Sequence, residues 1–409
     1  LVAVDLDRVS RTRPIFVLHA SGHVASVNTA SLELGNVAAH TNVVGVVVDA
    51  DGRPDGELRE PAAMSLVPAL AHLFAGGDLG SMLWRFASEA ANTGCTTVVD
   101  LGTTTPSDPA ALAATRAVVD AADFPVRLSS FLMAGRPLTA DDARTALGTM
   151  RGESTDAFRV GHVKIVLDGS IQQRTARLLP PGYLDRESRG IWVTAPDTFR
   201  TVFSTWHEAG ALIHVHCNGD EATELFLDVL AESLERHPRW DHRHTITHSQ
   251  LTTDAQYRRL AALGGCANIF ANHIFYWGDQ HRDIVIGPDR AARMDATATA
   301  LAAGVPISLH CDTPVTPISP LASMHHAVNR RTATGKLLGP DERLTPEQAL
   351  EAVTLGSAFM LRMDGEIGSI QAGKFADLAV VDADPLAVAP DEIAGIRVLA
   401  TARSGVLRG

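Results

Sequence analysis

Cysteine is scarce in this chain, with four residues in 409 at widely separated positions. A disulfide-stabilised domain needs many closely spaced cysteines, and a cysteine zinc clip needs a C-x-x-C pair, so the sequence excludes both. The four cysteines are therefore predicted to be buried thiols: Cys95, Cys217, Cys266 and Cys311.

Long apolar runs and an excess of basic charge are also missing. No stretch approaches the roughly 18 to 20 apolar residues of a membrane-spanning helix, and residues 1–14 lack the apolar segment of a signal peptide. With 35 Lys and Arg against 47 Asp and Glu, the formal net charge is −12. This balance disfavours nucleic acid and anionic membranes as partners. We expect a soluble, cytoplasmic protein.

The composition, with 45% hydrophobic and 20% charged residues, is that of a folded protein. Its length allows two or three domains, or one large α/β barrel with an appendage. From about residue 93, short β-branched runs alternate with Ala-rich amphipathic stretches, a pattern typical of βα units around a parallel sheet. Seven strands are predicted, at 96–101, 126–132, 160–168, 211–217, 244–248, 264–269 and 306–312. Helices are predicted at 109–122, 140–150, 196–209, 221–236, 253–263, 294–303 and 345–361. This rhythm predicts a (β/α)8 TIM barrel that lacks one unit.

Both ends of the chain differ from this pattern. Residues 1–70 are predicted to form a lead-in of short strands and turns, and residues 71–362 the barrel domain. Residues 363–409 contain two segments, 367–384 and 396–409, that are typical of short strands with Gly turns. They predict a small β appendage.

Four of the predicted strands carry ionisable side chains on one face and mainly apolar side chains on the other. Side chains alternate along a strand, and barrel active sites lie at the C-terminal ends of the strands. These polar faces are therefore expected to converge inside the barrel. The inward residues are His162, Lys164, Val166 and Asp168 on one strand, His214 and His216 on the next, His244 and His248 on a third, and Ser308, His310 and Asp312 on the fourth.

A divalent metal ion is the simplest partner for these groups, because unpaired ionisable side chains inside a barrel are costly. Neutral imidazoles and a carboxylate are the ligands of catalytic zinc. His216, His248 and Asp312 end three of the strands and together predict a metal site. The other inward histidines lie deeper or off the strand ends and are assigned structural or neighbouring roles: His214, His244 and His310.

Simpler interpretations exist for each residue. A lone histidine on a strand is more often a hydrogen-bonded core residue than a ligand, and Asp312 can cap the turn that follows it.

A buried Lys164 needs a counter-charge, or else it loses its proton and becomes open to modification. An ion pair between Lys164 and Asp168, or between Lys164 and another inward acid, is the alternative. His237 and His242 flank a proline-containing loop, and we expect both to be exposed.

Three consecutive aromatic residues follow the predicted strand 264–269: Phe275, Tyr276 and Trp277. They can form an aromatic wall for an apolar or aromatic group of a substrate. A hydrophobic patch that packs the loop is an equally good interpretation.

Seven segments together give the chain a specific resemblance. They are SGHVASVNTASLELGNV (21–37), DGRPDGELRE (51–60), VKIVLDGSIQQRTA (163–176), HVHCNGDEA (214–222), THSQL (247–251), LHCDTPVTPISPL (309–321) and GSIQAGKFADLAVVDADPL (368–386). In this order they resemble the amidohydrolase superfamily, specifically the amidohydrolase family 3 (YtcJ-like) group that includes N-substituted formamide deformylases. The resemblance covers essentially the whole chain. It implies a metal-dependent hydrolase barrel, with residues 363–409 as the C-terminal half of a β-sandwich.

The resemblance also implies a ligand set for one or two ions of Zn2+ or a similar divalent metal. Lys164 matches a lysine that can be carboxylated and bridge two metals, while His216 and His248 match histidine ligands. Asp312 matches an aspartate that binds metal and takes a proton from the attacking water. His23 matches a position near the substrate pocket. The candidate substrate residues are His23, Tyr276, Trp277 and His310.

One departure from the family pattern concerns the first barrel strand, which in the family ends in His-x-His after the N-terminal half of the sandwich. The first ninety residues contain no such motif, and the His-x-His at 214–216 belongs to the fifth-strand segment. We therefore expect roughly a hundred residues or more to precede this chain, or a partner fragment to supply them. The initial Leu1 supports this expectation. A protein that began there would be impaired in metal binding and activity.

The sequence thus predicts a metal-dependent hydrolase that cleaves an amide-type C–N bond. Asp312 would take a proton from water and return it to the leaving nitrogen, and His248 or His216 would assist if not committed as ligands. One alternative is a cyclic amide or carbamate hydrolase, or a deaminase, of the same superfamily. A non-catalytic barrel protein is the alternative from another class. The expected partners are a small amide-like substrate and, at family level, a second copy of the chain.

Overall fold

Three β-sheets organise residues 1–68 and 77–408, the part of the chain that the computed structural model describes. The strands are β1 (Phe16–Leu18), β2 (Val24–Val27), β3 (Val46–Val48), β4 (Pro54–Arg59), β5 (Thr97–Thr103), β6 (Arg127–Met133), β7 (Phe158–Val166), β8 (Ile213–Cys217), β9 (Thr245–His248), β10 (Cys266–Ile269), β11 (Ile307–Leu309), β12 (Leu378–Val381), β13 (Val398–Arg403) and β14 (Val406–Arg408).

The helices of the same residues are mostly amphipathic and connect the strands. They are α1 (Ala3–Asp7), α2 (Thr29–Leu34), α3 (Glu60–Met64), α4 (Leu79–Asn92), α5 (Pro109–Val119), α6 (Ala140–Gly152), α7 (Pro196–Glu208), α8 (Asp220–Arg236), α9 (Asp254–Ala262), α10 (Asn272–Gln280), α11 (Pro288–Ala292), α12 (Thr297–Ala302), α13 (Pro320–Asn329), α14 (Pro346–Val353) and α15 (Leu355–Met360). The longest, α8, has 17 residues. No helix in the described ranges has the length and apolar character needed to cross a membrane.

The central sheet contains seven parallel strands, β5 to β11, in the order in which they occur in the sequence. Parallel neighbours need crossover connections, and helices supply most of them. All seven predicted barrel strands are confirmed, as is the α/β barrel type of fold. In the described ranges, β5 and β11 are the two edges of this curled sheet.

The C-terminal ends of neighbouring strands lie at one level. His248, the last residue of β9, is in register with Cys217 of β8 and with Ile269 of β10. Ile269 is in turn in register with Leu309, the last residue of β11. Residues that follow these strands are therefore brought to one edge of the sheet, where barrel enzymes place their active sites.

Alternation along the strands separates the two faces of the central sheet. Val163 and Ile165 of β7 and Val215 of β8 are completely buried, in one apolar cluster with residues of α7 and α8. Burial of each such side chain contributes about 1.5–3 kcal/mol. Lys164, between Val163 and Ile165, is therefore directed to the inner face, where the structure buries it.

The inner face is closed by a second apolar layer below the strand ends. Phe131 of β6 is buried there with Leu361 and Met363, which follow α15. The ring of Phe131 lies 4.8 Å from the ring of His214. His214 donates a hydrogen bond from Nε2 to the carbonyl oxygen of Met360 at 3.1 Å. This bond agrees with the structural role expected for His214.

Several helical regions differ from the prediction. The single helix expected at 345–361 is two helices, α14 and α15, because Thr354 leaves the helical region with φ −119° and ψ −92°. Helices α1 to α4, α10 and α11 were absent from the prediction. Helix α13 begins with a clear sequence signal, since the Ser319 side chain accepts the backbone N–H of Ala322 and Pro320 is the first helical residue.

Two antiparallel sheets flank the central one. The N-terminal sheet has the order β1-β2-β4-β3 and a core of its own that includes Ala25, Val27 and Leu58. The C-terminal sheet, β12-β13-β14, is joined to β6 by an ion pair in which Arg127 Nε lies 2.6 Å from Asp377 Oδ2. The predicted boundary between residues 70 and 71 lies outside the described residues.

Candidate metal centre

His248, His310 and Asp312 form the centre of the candidate site at the C-terminal ends of β9 and β11. Each offers one ligand atom, and the three atoms lie within 4.8 Å of one another. His248 and Asp312 have φ values of 76° and 53°. This left-handed conformation costs about 1–3 kcal/mol for a residue other than glycine and is found most often at functional sites.

A hydrogen bond fixes the proton position of His310. Its Nδ1 donates to the side-chain oxygen of Asn268, so the lone pair of the neutral ring is on Nε2. His248 Nδ1 lies 3.1 Å from this Nε2. At this separation the two nitrogens can share a proton, or both can face one cation. Burial lowers the pKa of both imidazoles well below the ordinary value, which maintains the neutral form that binds metals.

His216 at the end of β8 lies against this group. Its ring is 4.3 Å from the ring of His248 in a T-shaped arrangement. Its Nε2 lies 3.0 Å from the carbonyl oxygen of Gly169, to which it can donate, and 3.0 Å from Nδ2 of Asn218, from which it can accept. Among the described residues, the ligand atoms that lie within 4.8 Å of one another belong to His248, His310 and Asp312. His310 is thus in this group, where the sequence predicted His216. The role of His216 as a ligand stays a prediction.

Asp168 does not form the ion pair with Lys164 that the sequence left open as an alternative. Its carboxylate accepts the backbone N–H groups of Asn218, Gly219 and Arg177 at 3.0, 2.9 and 2.9 Å. Burial nevertheless raises the pKa of Asp168 to about 7. These bonds tie the segment after β7 to the start of α8, so Asp168 shapes the loops that border the site.

Lys164 is 4% exposed and lies on the inner face of β7. Within the described residues, its ammonium has no ion pair shorter than 4.0 Å and no hydrogen bond. Burial lowers the pKa of Lys164 to about 8, although the charge of Asp312 opposes this effect. A buried amine that loses its proton so readily has the chemistry required for carboxylation, which stays a prediction.

The side chain of Asp312 does not cap the turn that follows it. The backbone carbonyl of Asp312 accepts the N–H of Val315 at 2.7 Å, while no group of the described residues hydrogen-bonds its carboxylate. Burial raises the pKa of Asp312, and the charges of Lys164 and His273 counteract the increase. The carboxylate is thus available to bind a cation or to accept a proton.

His23 reaches the site from the N-terminal sheet. Its ring lies 5.2 Å from the ring of His216. Its Nδ1 is 2.9 Å from Glu60 Oε2, and Glu60 is only 2% exposed. Burial lowers the pKa of His23, but the hydrogen bond and charge of Glu60 outweigh that effect, and the pKa is raised. Glu60 therefore favours the protonated form of His23, which lies beside His216. The substrate contact of His23 stays a prediction.

The three consecutive aromatic residues lie on α10 and separate into two groups. The ring of Phe275 stacks on that of His326 at 4.9 Å, and Tyr276 is 41% exposed beside it. Trp277 instead lies 5.7 Å from the ring of His273. Only Trp277 therefore approaches the residues around the metal centre, and the substrate roles of Tyr276 and Trp277 stay predictions.

The sequence did not predict that His273 and Asp295 lie at the site. His273 lies in the first turn of α10 and Asp295 shortly before α12, and both are buried. His273 Nδ1 is 3.2 Å from Asp295 Oδ1. The signal that could have found His273 is its position four residues after the end of β10, where barrel active-site residues collect.

A second group of histidines lies away from the site, toward the other end of the strands. His207 Nδ1 is 2.8 Å from His244 Nε2, and His207 Nε2 donates to the carbonyl oxygen of His237. The expectation that His242 is exposed is wrong, because it is 1% exposed. Its Nε2 donates to Leu263 at 2.7 Å, which anchors the ring inside.

The donor set at the metal centre fits a divalent cation. Asp312 offers a carboxylate without a hydrogen bond from the described residues, and His248 and His310 offer ring nitrogens 3.1 Å apart. Neutral imidazoles with a carboxylate are the donors of zinc-type sites. Asn268 behind His310 supplies the outer hydrogen bond that usually orients a metal-binding histidine.

Comparisons with known proteins agree with this geometry. The model of the family described as Amidohydrolase family matches residues 2–408. The chain is 28% identical to N-substituted formamide deformylase of Arthrobacter pascens, over 99% of this chain and 75% of that protein. It is 26% identical to Protein LONG AFTER FAR-RED 3 of Arabidopsis thaliana, over 92% of this chain and 66% of that protein.

A solved structure has the same fold. It is an uncharacterized metal-dependent hydrolase from Pyrococcus horikoshii, with a TM-score of 0.69 and 20% sequence identity. The match covers 95% of this chain and 75% of that one.

Proposed function

Since this chain belongs to the amidohydrolase family, we propose that it is a metal-dependent hydrolase that cleaves the amide-type C–N bond of a small N-substituted formamide or related amide. The observation that carries the proposal is the convergence of His248, His310 and Asp312, with ligand atoms within 4.8 Å of one another at the strand ends. The similarity to N-substituted formamide deformylase supports this choice of substrate class.

The residues that would hold the metal are His248, His310 and Asp312, with His216 and Lys164 alongside. A bound divalent ion supplies Lewis acidity, which lowers the pKa of water and polarises a carbonyl group. The protein's own contribution is to keep the imidazoles neutral by burial.

Asp312 is the proposed proton carrier. Its carboxylate, which has no hydrogen-bond donor among the described residues, accepts a proton as water attacks the formyl carbon. The same proton then passes to the leaving nitrogen when the C–N bond breaks. One water is consumed, and the products are an amine and a carboxylic acid. His23, whose pKa is raised by Glu60, would donate a hydrogen bond to the substrate oxygen.

Elemental analysis and one substitution test this proposal. The protein produced from its own open reading frame should contain about one or two equivalents of divalent metal and release formate from N-substituted formamides. Asp312→Asn should retain the fold and lower kcat by about 10²- to 10⁴-fold. Asp141→Asn is the matched control, because Asp141 has 92% of its side chain exposed.

Two outcomes would contradict the proposal. A protein without metal, inactive after metal is added, would favour a non-catalytic barrel. A protein that hydrolyses cyclic amides or carbamates, or that releases ammonia, but leaves formamides intact would belong to a different branch of the same chemistry.

A further inference from the structure

His273 and Asp295 form a buried pair beside the metal centre, and the mechanism above does not use it. The two residues are 2% and 0% exposed, and His273 Nδ1 is 3.2 Å from Asp295 Oδ1. A carboxylate accepts hydrogen bonds and cannot donate them, so Nδ1 carries the proton. Nε2 is then the ring nitrogen that can accept a hydrogen bond, as in other histidines oriented by an acidic residue.

Two hydrogen bonds of its backbone hold Asp295 in place. Its backbone N–H donates to the carbonyl of Gln250, two residues after His248, at 2.8 Å. Its own carbonyl accepts Nη1 of the buried Arg330 at 2.9 Å. Its φ is 49°, a left-handed conformation that the surrounding contacts must maintain. Asp295 is therefore coupled to the same turn that positions His248.

The ring of His273 faces the residues of the metal centre. It lies 6.4 Å from the ring of His248 and 4.4 Å from that of Phe270. Phe270 stacks on His310 at 5.0 Å, with 20° between the planes. Within the described residues, Nε2 of His273 has no hydrogen-bond partner, in contrast to Nδ1. A hydrogen-bond acceptor is thus available at the edge of the centre.

We propose that His273 accepts a hydrogen bond from the N–H of the substrate amide through Nε2, and that Asp295 is the positioning residue that fixes the required tautomer. This inference rests on the proposed function and narrows it to amides that carry one hydrogen on nitrogen. Trp277, 5.7 Å from His273, would then border the substituent on that nitrogen.

The test compares an N-monosubstituted formamide with its N-methylated, N,N-disubstituted counterpart. The unmodified protein should favour the N–H compound by roughly tenfold or more in kcat/KM, the usual contribution of one buried hydrogen bond. His273→Phe and Asp295→Asn should lose that preference, with little change for the disubstituted compound and with metal content unchanged. A merely structural defect would lower both activities together and leave the ratio intact.

Binding provides a second readout that does not need turnover. Dissociation constants of the two formamides, measured by calorimetry on Asp312→Asn, should show the same preference, and His273→Phe in that background should abolish it. Equal binding of both compounds to Asp312→Asn would overturn the inference, as would an unchanged ratio in the His273 variants. Suppose that the unmodified protein binds the two compounds with the expected preference and yet hydrolyses neither. That result would contradict the proposed function and still support the role of His273.

Discussion

His23 and Glu60 hold each other through two hydrogen bonds across 37 residues of sequence. The backbone N–H of Glu60 donates to the carbonyl oxygen of His23 at 2.8 Å, and His23 Nδ1 lies 2.9 Å from Glu60 Oε2. Glu60 adopts a φ of 64° to make both contacts. The N-terminal sheet is thereby linked to the metal centre by a charged pair.

Loss of the Glu60 charge should lower the pKa of His23. In Glu60→Gln we expect a decrease of about one to two pH units, since a charge-assisted hydrogen bond contributes about 1.5–3 kcal/mol. The titration of the His23 ring by NMR measures this change. Glu57→Gln is the control, because Glu57 lies on β4, three residues before Glu60, and pairs with Arg59. An unchanged pKa in Glu60→Gln would show that the pair is electrostatically unimportant.

Gly169→Ala should disturb the same pair without removing a charge. A Cβ at Gly169 would lie 2.1 Å from Glu60 Oε1 and 2.1 Å from Thr175 Oγ1, so the Glu60 side chain must move. We expect the pKa of His23 to fall in this variant as well, together with a lower kcat/KM. Gly148→Ala is the matched control, because a Cβ there meets nothing within 4 Å. A normal His23 titration in Gly169→Ala would contradict the expected contact.

We expect His310 to contribute to the affinity for metal as well as to the binding of substrate. Because its ligand atom lies within 4.8 Å of those of His248 and Asp312, His310→Gln should weaken the binding of a divalent cation by about 10- to 100-fold. Competition with a chelator measures this change. His214→Gln is a useful comparison, since His214 is bonded to the Met360 carbonyl below the site and should leave affinity nearly unchanged. Equal losses in both variants would indicate a general defect of the barrel.

Acid should destabilise the protein through the buried histidines distant from the site. Burial lowers the pKa of His207 from 6.5 to about 4, and that of His244 well below 6.5. The folded state therefore keeps these rings neutral, while the unfolded chain binds protons as the pH falls below about 6.5. The contribution of these neutral rings to the free energy of unfolding is complete above that pH. It is lost as the pH falls toward 4, by about 1.4 kcal/mol per pH unit for each ring.

Urea unfolding between pH 7.5 and 5 measures this dependence. His207→Gln should reduce the slope of the unfolding free energy against pH by about one proton. His237→Gln should leave the slope unchanged, since the His237 side chain is 44% exposed. A His207→Gln protein with the original slope would mean that other groups dominate acid unfolding.

The ion pair between Arg127 and Asp377 should contribute strongly to the attachment of the C-terminal sheet. Both side chains are 2% exposed, and Arg127 also lies 3.7 Å above the ring of Phe375. Asp377→Asn should lower the unfolding free energy by about 3–5 kcal/mol, because it leaves a buried charge without its partner. Asp382→Asn, which removes the partner of the 77% exposed Arg397, should cost less than about 1 kcal/mol. Similar losses in the two variants would contradict this assignment.

Periodicity in the sequence was sufficient to predict the central sheet. The seven strands are short β-branched runs with a period of two, and local sequence determines such runs well. Their order also followed, since consecutive βα units place successive strands side by side. The break at Thr354 was not predicted, because the apolar pattern continues through it and only its backbone conformation ends the helix.

Part of the candidate site could be predicted for the same reason. His216, His248 and Asp312 lie at or beyond strand ends, and a rule about strand ends is sufficient to select them. The position of His310 beside His248 could not be predicted in this way. It depends on how β9, β10 and β11 align, and on the left-handed turns at His248 and Asp312.

The sequence by itself therefore determined the class of fold, the family resemblance and the residue types available for a metal. Only the tertiary structure decided that His310 joins His248 and Asp312, that Glu60 raises the pKa of His23, and that Asp295 orients His273. The physical reason is that hydrogen bonds and electrostatic interactions act over a few ångströms between segments far apart in the chain. Those distances are set by strand register and loop conformation, which no local pattern of residues specifies.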